Sequence, residues 1–193
     1  MGLKPVLVTG QMGSGKTSIA NRIITQYKYS KISMADWIKQ TVEQHYGLQG
    51  IDKSMSIKDK PMRTILQEMG MFMRKVDSDW HIDEVLNRIH KTGIKLFIID
   101  DIRFINEVKL IYEKYDCITI KVECDKIKRL ERIILRDIVV PTESQLKDTS
   151  EIEINDIPYD YVINNNGTLN ELFDQTDRII RSNLNESTKV SHS

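Results

Sequence analysis

Residues 10–17 of the chain read GQMGSGKT and match the pattern G-x-x-x-x-G-K-[ST] at every defined position. Glycines let the backbone curl so that successive N–H groups point at one anion, and a helix that begins after the loop directs its positive end to the same place. Lys16 adds a charge for the β- and γ-phosphates of a nucleotide, and Thr17 offers a hydroxyl to Mg²⁺. The pattern therefore predicts a loop that binds ATP with Mg²⁺. Its predicted binding residues are Gly10, Met12, Gly13, Ser14, Gly15, Lys16, Thr17 and Ser18.

A second candidate site follows an apolar segment in the middle of the chain, where residues 96–101 read LFIIDD. Mg²⁺ at such a loop needs a carboxylate, normally at the end of a neighbouring strand. Asp100 and Asp101 both fit that role, and residue order alone does not choose between them. The alternative interpretation is an acidic cap of the helix that follows. Given the loop upstream, we expect Thr17 and one of these carboxylates to bind Mg²⁺.

Strand-like and helical patterns alternate along the chain and must position these residues. Apolar runs predict five strands, at residues 5–9, 29–33, 95–100, 117–122 and 159–163. Helical spacing predicts helices at residues 16–26, 35–46, 62–76, 82–90, 106–115, 126–135 and 169–181. A polar loop is predicted at 47–61 and a frayed polar tail at 182–193. The alternation predicts an α/β fold of the P-loop NTPase type, a parallel five-stranded sheet flanked by helices.

The composition is that of a folded domain: 193 residues, 40% hydrophobic and 29% charged, with 28 basic and 28 acidic side chains. A net charge of zero argues against a dedicated nucleic-acid-binding protein. No apolar run approaches the roughly 20 residues needed to span a bilayer. Cys117 and Cys124 form neither a disulfide framework nor a metal motif. The N-terminus lacks the pattern of a signal peptide, so we expect a cytoplasmic protein without nucleic-acid or membrane partners.

Phosphate loops of this kind occur in GTPases, helicases, motor ATPases and small-molecule kinases, and fold alone does not separate them. The chain is short for a helicase or motor and has no N-K-x-D-like guanine-reading motif, so a small kinase remains. Such a kinase needs arginines, which clamp phosphates bidentately. Arg63, Gln67, Gly70 and Arg74 recur at helical spacing and can share one face of a helix. For any single arginine, a solvated helix face is the alternative.

Further arginines accompany a local separation of charge. Arg103 lies just beyond the two aspartates, and Arg132 and Arg136 share a helix face. Residues 126–136 hold five basic side chains against one acid, whereas residues 137–156 hold six acids against one lysine. This is where small kinases place a closing lid. We predict one kinase domain at 1–181, with a substrate-binding helical part at about 35–92 and a short lid at about 136–150.

Five sequence features together resemble one family. They are the 10–17 loop, SMADWIK at 33–39, the Arg63 to Arg74 pattern, DIRFINE at 101–107, and Ser150-Glu151 with NNNGT at 164–168. Over roughly residues 5–175 the chain resembles the phage-type deoxynucleoside monophosphate kinases, which are akin to dephospho-coenzyme A kinases. Two departures are Ile105, where the family usually has proline, and a short, acidic segment between Arg136 and Ser150.

The resemblance implies an α/β kinase with nucleoside monophosphate-binding helices, which transfers the γ-phosphoryl group of ATP to a (deoxy)nucleoside monophosphate with Mg²⁺ and is a monomer or homodimer. It implies that Asn165, Gly167 and Thr168 lie near the adenine of ATP. The implied catalytic residues are Lys16, Arg103, Arg132 and Arg136, the latter two in the lid. The implied acceptor-binding residues are Asp36, Lys39, Arg63, Gln67, Arg74, Asp101 and Arg103.

The role of Asp36 depends on which molecule accepts the phosphoryl group. A nucleoside monophosphate is already ionised near pH 7 and needs no general base, so Asp36 would bind the sugar or base. A dephospho-coenzyme A kinase acts on a ribose hydroxyl, where a carboxylate in contact serves as a base. A plain helix N-terminal carboxylate is a further interpretation. A third functional class stays open too: an ATP-binding regulatory protein with little turnover, which has no need of a second anion site.

Overall fold

A computed structural model describes residues 2–51, 55–57, 60–137 and 152–189, without the side chains of Arg63, Arg136, Asp137 and residues 185–189. The strands are β1 (Val6–Thr9), β2 (Ser30–Ile32), β3 (Ser56–Ile57), β4 (Lys60–Pro61), β5 (Phe97–Ile102), β6 (Ile118–Glu123) and β7 (Tyr161–Asn164). The helices are α1 (Lys16–Tyr27), α2 (Asp36–Tyr46), α3 (Met62–Val76), α4 (Trp80–Thr92), α5 (Ile105–Tyr112), α6 (Lys126–Asp137) and α7 (Leu169–Lys189), with a 3₁₀ turn at Glu153–Asp156.

Five strands form one sheet in the order β2-β5-β1-β6-β7. β1 lies at its centre and pairs in parallel with β5 and with β6, so that Val6 stands between Ile98 and Ile118. All four residues of β1 are fully buried, as expected for a parallel strand covered on both faces. The predicted fold class, a parallel five-stranded sheet flanked by helices, is confirmed. Because carboxyl ends of parallel strands meet at one edge, the loop after β1 and the end of β5 lie at the same edge.

The chain divides into two compact units, residues 1–31 with 94–193 and residues 32–93. The first unit contains the sheet. In this unit, Arg22 of α1 donates two hydrogen bonds, of 3.2 and 2.6 Å, to the carboxylate of Asp177 in α7. This contact lowers the pKa of Asp177. The second unit contains α2, α3, α4 and the β3–β4 pair. Ile38, Val42 and Met62 form a buried cluster in it. It spans nearly the same residues as the predicted substrate-binding helical part, whose role stays a prediction.

The structure differs from the predicted elements at several points. The segment 47–61, predicted as a loop, contains the antiparallel strands β3 and β4. β5 runs through both aspartates to Ile102 instead of ending at the first. α7 continues to Lys189, although residues 182–193 were predicted to fray. The reason is Asn183, which is buried and donates hydrogen bonds to the Ile179 carbonyl and the Tyr161 hydroxyl, so the helix stays anchored to β7.

None of the helices in the described part of the chain combines the length and apolar character that crossing a membrane requires. Residues 138–150 of the predicted lid lie outside the described residues, together with Glu151 and the Arg136 side chain.

Candidate active site

The phosphate-loop pattern occupies the turn between β1 and α1. Gly10, Gly13 and Gly15 have φ values of 144°, 79° and 106°, which only glycine adopts readily. A Cβ atom on Gly10 would lie 2.5 Å from the Val122 carbonyl oxygen, and one on Gly13 would lie 2.6 Å from the Arg129 carbonyl oxygen. Gly13 stands at a variable position of the pattern, so the tertiary structure adds a third required glycine.

The donors of this loop converge where the helix begins. Lys16 Nζ donates to the carbonyl oxygens of Gly10 and Gln11 at 2.5 and 3.0 Å, which lays its ammonium over the loop. The Ser14 hydroxyl is buried and finds no hydrogen-bond partner within the described residues. Thr17 is exposed in the first turn of α1. A lysine charge, an unpartnered hydroxyl and the positive end of a twelve-residue helix are donors fit for the phosphates of a nucleotide.

Two side chains from distant segments donate hydrogen bonds to this loop, and a third donates to one of them. Asn165, in the turn after β7, is buried, and its Nδ2 donates to the Ser14 carbonyl at 2.7 Å. Arg129 of α6 is also buried and donates to the Met12 carbonyl at 3.2 Å. Arg132 donates to the Asn165 carbonyl at 3.1 Å. Side-chain hydrogen bonds therefore connect the loop to α6 and to the β7–α7 turn, in addition to the hydrogen bonds within the loop backbone.

The structure adds contacts to these three residues, and the predicted roles of Arg132 and Asn165 stay predictions. Arg132 was predicted as a lid arginine, and in this structure its guanidinium contacts Asn165 and the Cys124 sulfur, 3.3 Å away. Asn165 was predicted to lie near an adenine, which stays a prediction, and its amide donates to the Ser14 carbonyl of the phosphate loop. Arg129 was not among the predicted site residues. One signal could have found it, because it lies four residues before Ile133 on the buried face of α6.

The two candidate carboxylates occupy consecutive positions of β5, the strand beside β1. Asp100 is 6% exposed and pairs with Lys31 of the neighbouring strand, with 2.9 Å between Nζ and Oδ2. Asp101 is half-buried and points to the opposite face of the sheet. Across the described residues, no cluster of three or more His, Cys, Asp or Glu side chains could hold a metal ion. Mg²⁺ at a phosphate loop needs only one or two carboxylates besides phosphates and water, so this arrangement fits it.

The DIRFINE stretch forms the turn from β5 into α5. Glu107 is buried, and one carboxylate oxygen accepts the backbone N–H groups of Arg103 and Phe104 at 2.8 and 3.1 Å. This contact fixes the turn that carries the predicted catalytic residue Arg103. Ile105 is the first residue of α5. A proline is favoured at that position because its missing N–H is not needed there, and isoleucine also starts the helix.

The predicted acceptor-binding residues that remain lie in the second unit. Asp36 begins α2 and accepts a hydrogen bond of 2.6 Å from Arg88 of α4, a partner that was not predicted. Lys39 is half-buried on α2, and Gln67 is exposed on α3. Arg74 of α3 lies 3.3 Å from the Nε2 atom of His81. Arg63 begins the same helix, and its side chain is outside the described residues.

The predicted adenine neighbourhood after β7 is a capping structure. Asn166 exchanges hydrogen bonds with Asp125, and the Thr168 N–H donates to Glu171, which in turn donates its own N–H to the Thr168 hydroxyl. The hydrogen bonds from the Thr168 N–H and hydroxyl lower the pKa of the Glu171 carboxyl. The reciprocal bonds between Thr168 and Glu171 start α7 with a capping box, which the T-x-x-E pattern signals. An open surface cavity of about 370 Å³ adjoins this turn. It is lined by Asn164, Gly167, Glu171, Asp174, Gln175 and Arg178.

Several proteins to which the chain is similar are kinases. A dephospho-CoA kinase of Saccharomyces cerevisiae is 25% identical over 196 residues, covering 90% of this chain and 80% of that protein. The structure of dephospho-CoA kinase from Campylobacter jejuni matches with a TM-score of 0.51 at 18% identity, over 94% of this chain and 98% of that one. Shikimate kinase from Acinetobacter baumannii, in complex with shikimate, matches with a TM-score of 0.58 at 16% identity, over 95% and 94%. No family model matches the chain.

These comparisons show the fold of the P-loop kinases and a weak homology to dephospho-CoA kinases. P-loop kinases of this kind use ATP with Mg²⁺, which agrees with the predicted cofactors. The narrower resemblance to phage-type deoxynucleoside monophosphate kinases stays a prediction.

Proposed function

We propose that the chain is an ATP-dependent nucleotide kinase, which transfers the γ-phosphoryl group of ATP to a (deoxy)nucleoside monophosphate and releases the diphosphate. The observation that carries this choice of acceptor is the ion pair between Asp36 and Arg88. Asp36 Oδ2 accepts a charge-assisted hydrogen bond of 2.6 Å from the guanidinium, which holds the carboxylate in one orientation and suits a binding role. A phosphate acceptor is ionised near pH 7 and needs no base. Asp36, held in place by Arg88, would then orient the acceptor.

The proposed chemistry is positioning and charge neutralisation. We assign Lys16 and the backbone of residues 10–18 to the phosphates of ATP. Thr17 and one of Asp100 and Asp101 would hold Mg²⁺, which neutralises charge on the transferred phosphate when bound. The proposed residues for the charge that develops during transfer are Arg103, Arg132 and Arg136. The proposed acceptor-binding residues are Asp36, Lys39, Arg63, Gln67, Arg74, Asp101 and Arg103.

A dephospho-CoA kinase-like activity on a hydroxyl acceptor is the second candidate, supported by the 25% identity to the yeast enzyme. In that reaction Asp36 would take the proton of the hydroxyl. The two candidates make different predictions for Asp36→Asn. Loss of a base lowers kcat and flattens its pH dependence, whereas loss of a binding contact raises KM for the acceptor with a smaller change in kcat.

The test is ADP formation from ATP and Mg²⁺ with each of the four deoxynucleoside monophosphates, with dephospho-coenzyme A, and with no acceptor. Stimulation by at least one monophosphate, and not by dephospho-coenzyme A, supports the proposal. Stimulation by dephospho-coenzyme A alone overturns it in favour of the second candidate. ATP binding without stimulation by any acceptor would instead support a regulatory protein. The Lys16→Ala variant controls for contaminating kinases, and Asp100→Asn against Asp101→Asn separates the proposed Mg²⁺ ligands by their Mg²⁺ dependence.

A further inference from the structure

An ion pair between Lys31 and Asp100 joins the edge strand β2 to β5. Lys31 Nζ lies 2.9 Å from Asp100 Oδ2, and the Lys31 side chain is 42% exposed whereas that of Asp100 is 6% exposed. A carboxylate buried to this extent needs a cation beside it, because a buried charge without a partner is costly. The ammonium of Lys31 supplies that cation.

Asp100 lies at the edge of the sheet that carries the phosphate loop. Ile102, two residues after Asp100, stands opposite Thr9, which is the last residue of β1 before the loop. Ile98 belongs to the core cluster that contains the buried face of α1, and strand alternation directs Asp100 to the same face of the sheet. The helix that covers this face holds Thr17 in its first turn. Asp100 is therefore the aspartate on the Thr17 side of the sheet.

The partner of Asp100 is of a kind that a carboxylate can exchange for another cation. A lysine ammonium is a strongly hydrated point charge on a flexible stem, whereas arginine holds a carboxylate with a planar fork. Arg22 holds Asp177 with two hydrogen bonds, and Arg88 holds Asp36 at 2.6 Å. The Asp100 side chain is more deeply buried than those of Asp177 and Asp36, which are 12% and 30% exposed, yet its partner is a half-exposed lysine.

We propose that Lys31 is a positioning residue of the Mg²⁺ site and serves as the built-in counter-cation of Asp100, holding the carboxylate until Mg²⁺ enters together with ATP. This inference rests on the proposed function, which places Mg²⁺ beside the phosphate loop. The lysine charge repels a free divalent cation from Asp100. Phosphate oxygens of ATP supply further ligands that Mg²⁺ prefers, so the complex of both can replace the ammonium where the free ion does not.

A purely structural role is the alternative, in which the pair only ties β2 to β5. Both roles predict a loss of stability when the Lys31 charge is removed, because Asp100 is then buried without a partner. They differ in what restores the stability. A counter-cation can be replaced by a free metal ion, whereas a tie between two strands cannot.

Thermal unfolding without nucleotide separates the two roles. The parent, Lys31→Met and Lys31→Gln are each measured with and without MgCl₂, at one ionic strength set with KCl. Both substitutions remove the charge, and glutamine keeps an N–H donor in case the methionine variant does not fold. We expect both variants to melt below the parent without Mg²⁺ and to regain most of that loss, saturably, with Mg²⁺. A loss that Mg²⁺ does not restore would overturn the proposal.

The matched control is Lys4→Met. Lys4 forms an ion pair of 2.8 Å with Asp116, whose side chain is 71% exposed. The substitution removes the same charge from a position ahead of β1, at the end of that strand opposite to the phosphate loop, and water compensates the exposed carboxylate. Lys4→Met should therefore respond to Mg²⁺ as the parent does. An equal Mg²⁺ response of Lys4→Met and Lys31→Met would overturn the proposal.

Double variants identify the carboxylate that responds. Adding Asp100→Asn to Lys31→Met should abolish the Mg²⁺ response, because the buried charge is gone. Adding Asp101→Asn to Lys31→Met should leave the response in place. The reverse pattern would assign the response to Asp101 and overturn the proposal.

Binding of the metal ion itself is measured with Mn²⁺, which prefers the same oxygen ligands and is counted by electron paramagnetic resonance. Without nucleotide, we expect Lys31→Met to bind Mn²⁺ at least about tenfold more tightly than the parent. Equal affinities of the two proteins for Mn²⁺ would overturn the proposal.

None of these measurements contains an acceptor, so they fail or succeed separately from the proposed function. If a monophosphate stimulates ADP formation but Lys31→Met responds to Mg²⁺ no more than Lys4→Met, the counter-cation inference fails and the proposed function stands. If Lys31→Met gains the Mg²⁺ response but no monophosphate stimulates ADP formation, the counter-cation inference stands and the proposed function fails.

Discussion

The β7–α7 turn is expected to control nucleotide binding through the single side chain of Asn165. In Asn165→Ala, the Ser14 carbonyl loses its 2.7 Å hydrogen bond in a buried position, since Asn165 is 5% exposed. An acceptor left unsatisfied in such a place costs about 1–3 kcal/mol. For a chain of this length, about 2 kcal/mol lowers the melting temperature by roughly 4–8 °C.

Loss of the hydrogen bond between Asn165 and the Ser14 carbonyl should also weaken ATP binding. Ser14 lies within the phosphate loop, so the loop must be ordered on binding in the variant, whereas Asn165 orders it beforehand in the parent. A cost of about 1.4 kcal/mol for that ordering weakens ATP binding tenfold. Asn165→Asp keeps the shape of the side chain and places an oxygen against the Ser14 carbonyl oxygen. We expect its loss of ATP affinity to be the larger of the two.

The control variant is Asn166→Ala. Asn166 is the next residue in the turn, and its side chain makes two exposed hydrogen bonds, both to Asp125, at 2.8 and 3.0 Å. Its removal should cost less than about 1 kcal/mol and leave ATP affinity within about twofold of the parent. Calorimetric titration with a non-hydrolysable ATP analogue and thermal unfolding measure both quantities. If Asn165→Ala and Asn166→Ala have the same ATP affinity and melting temperature, the supporting role of Asn165 is wrong.

Three other predictions concern the loop and the second unit. Lys16→Ala should stay folded and lose at least about 100-fold in ADP formation; parent-like turnover would remove Lys16 from the site. Gly13→Ala should lose more stability than Gly93→Ala in thermal unfolding, because both have positive φ but only Gly13 would bring a Cβ to 2.6 Å from a carbonyl oxygen, while nothing lies within 4 Å at Gly93. His81 has a folded pKa of about 4 against 6.5 unfolded, so its contribution to stability is present above pH 6.5 and is lost toward pH 4. Denaturant unfolding should show about 2 kcal/mol less stability from this group at pH 5 than at pH 7, and His81→Gln should lack that loss.

Local signals made part of the site predictable. The phosphate loop is a contiguous pattern between an apolar strand and a helix, and the structure has β1 and α1 in those places. The bounds of α3 at Met62–Val76 match the predicted helix because its apolar residues keep helical spacing throughout. The strand predicted at residues 95–100 overlaps β5 but ends two residues before it. The reason is that charged residues such as Asp100 and Asp101 normally signal the end of a buried strand.

The residues that hold the site together were not predictable in this way. Asn165 and Ser14 are separated by 151 positions, and Arg129 and Met12 by 117. No pattern at a fixed spacing connects them, and their contacts exist because the order β1-β6-β7 brings the ends of these strands side by side. Asp36 and Arg88, 52 positions apart, meet because α2 and α4 fold into the same unit.

The amino-acid order alone therefore established the chemistry available to this protein: a glycine-bearing loop with Lys16 and Thr17, paired aspartates, and an arginine-bearing helix. Such features are local, because backbone conformation and helix-face spacing depend on neighbouring residues. Only the tertiary structure decided which polar groups are satisfied. It pairs Asp100 with Lys31 and Asp36 with Arg88, and leaves the Trp37 indole unpartnered among the described residues. Burial and partnership arise from packing between distant segments, which no local pattern encodes.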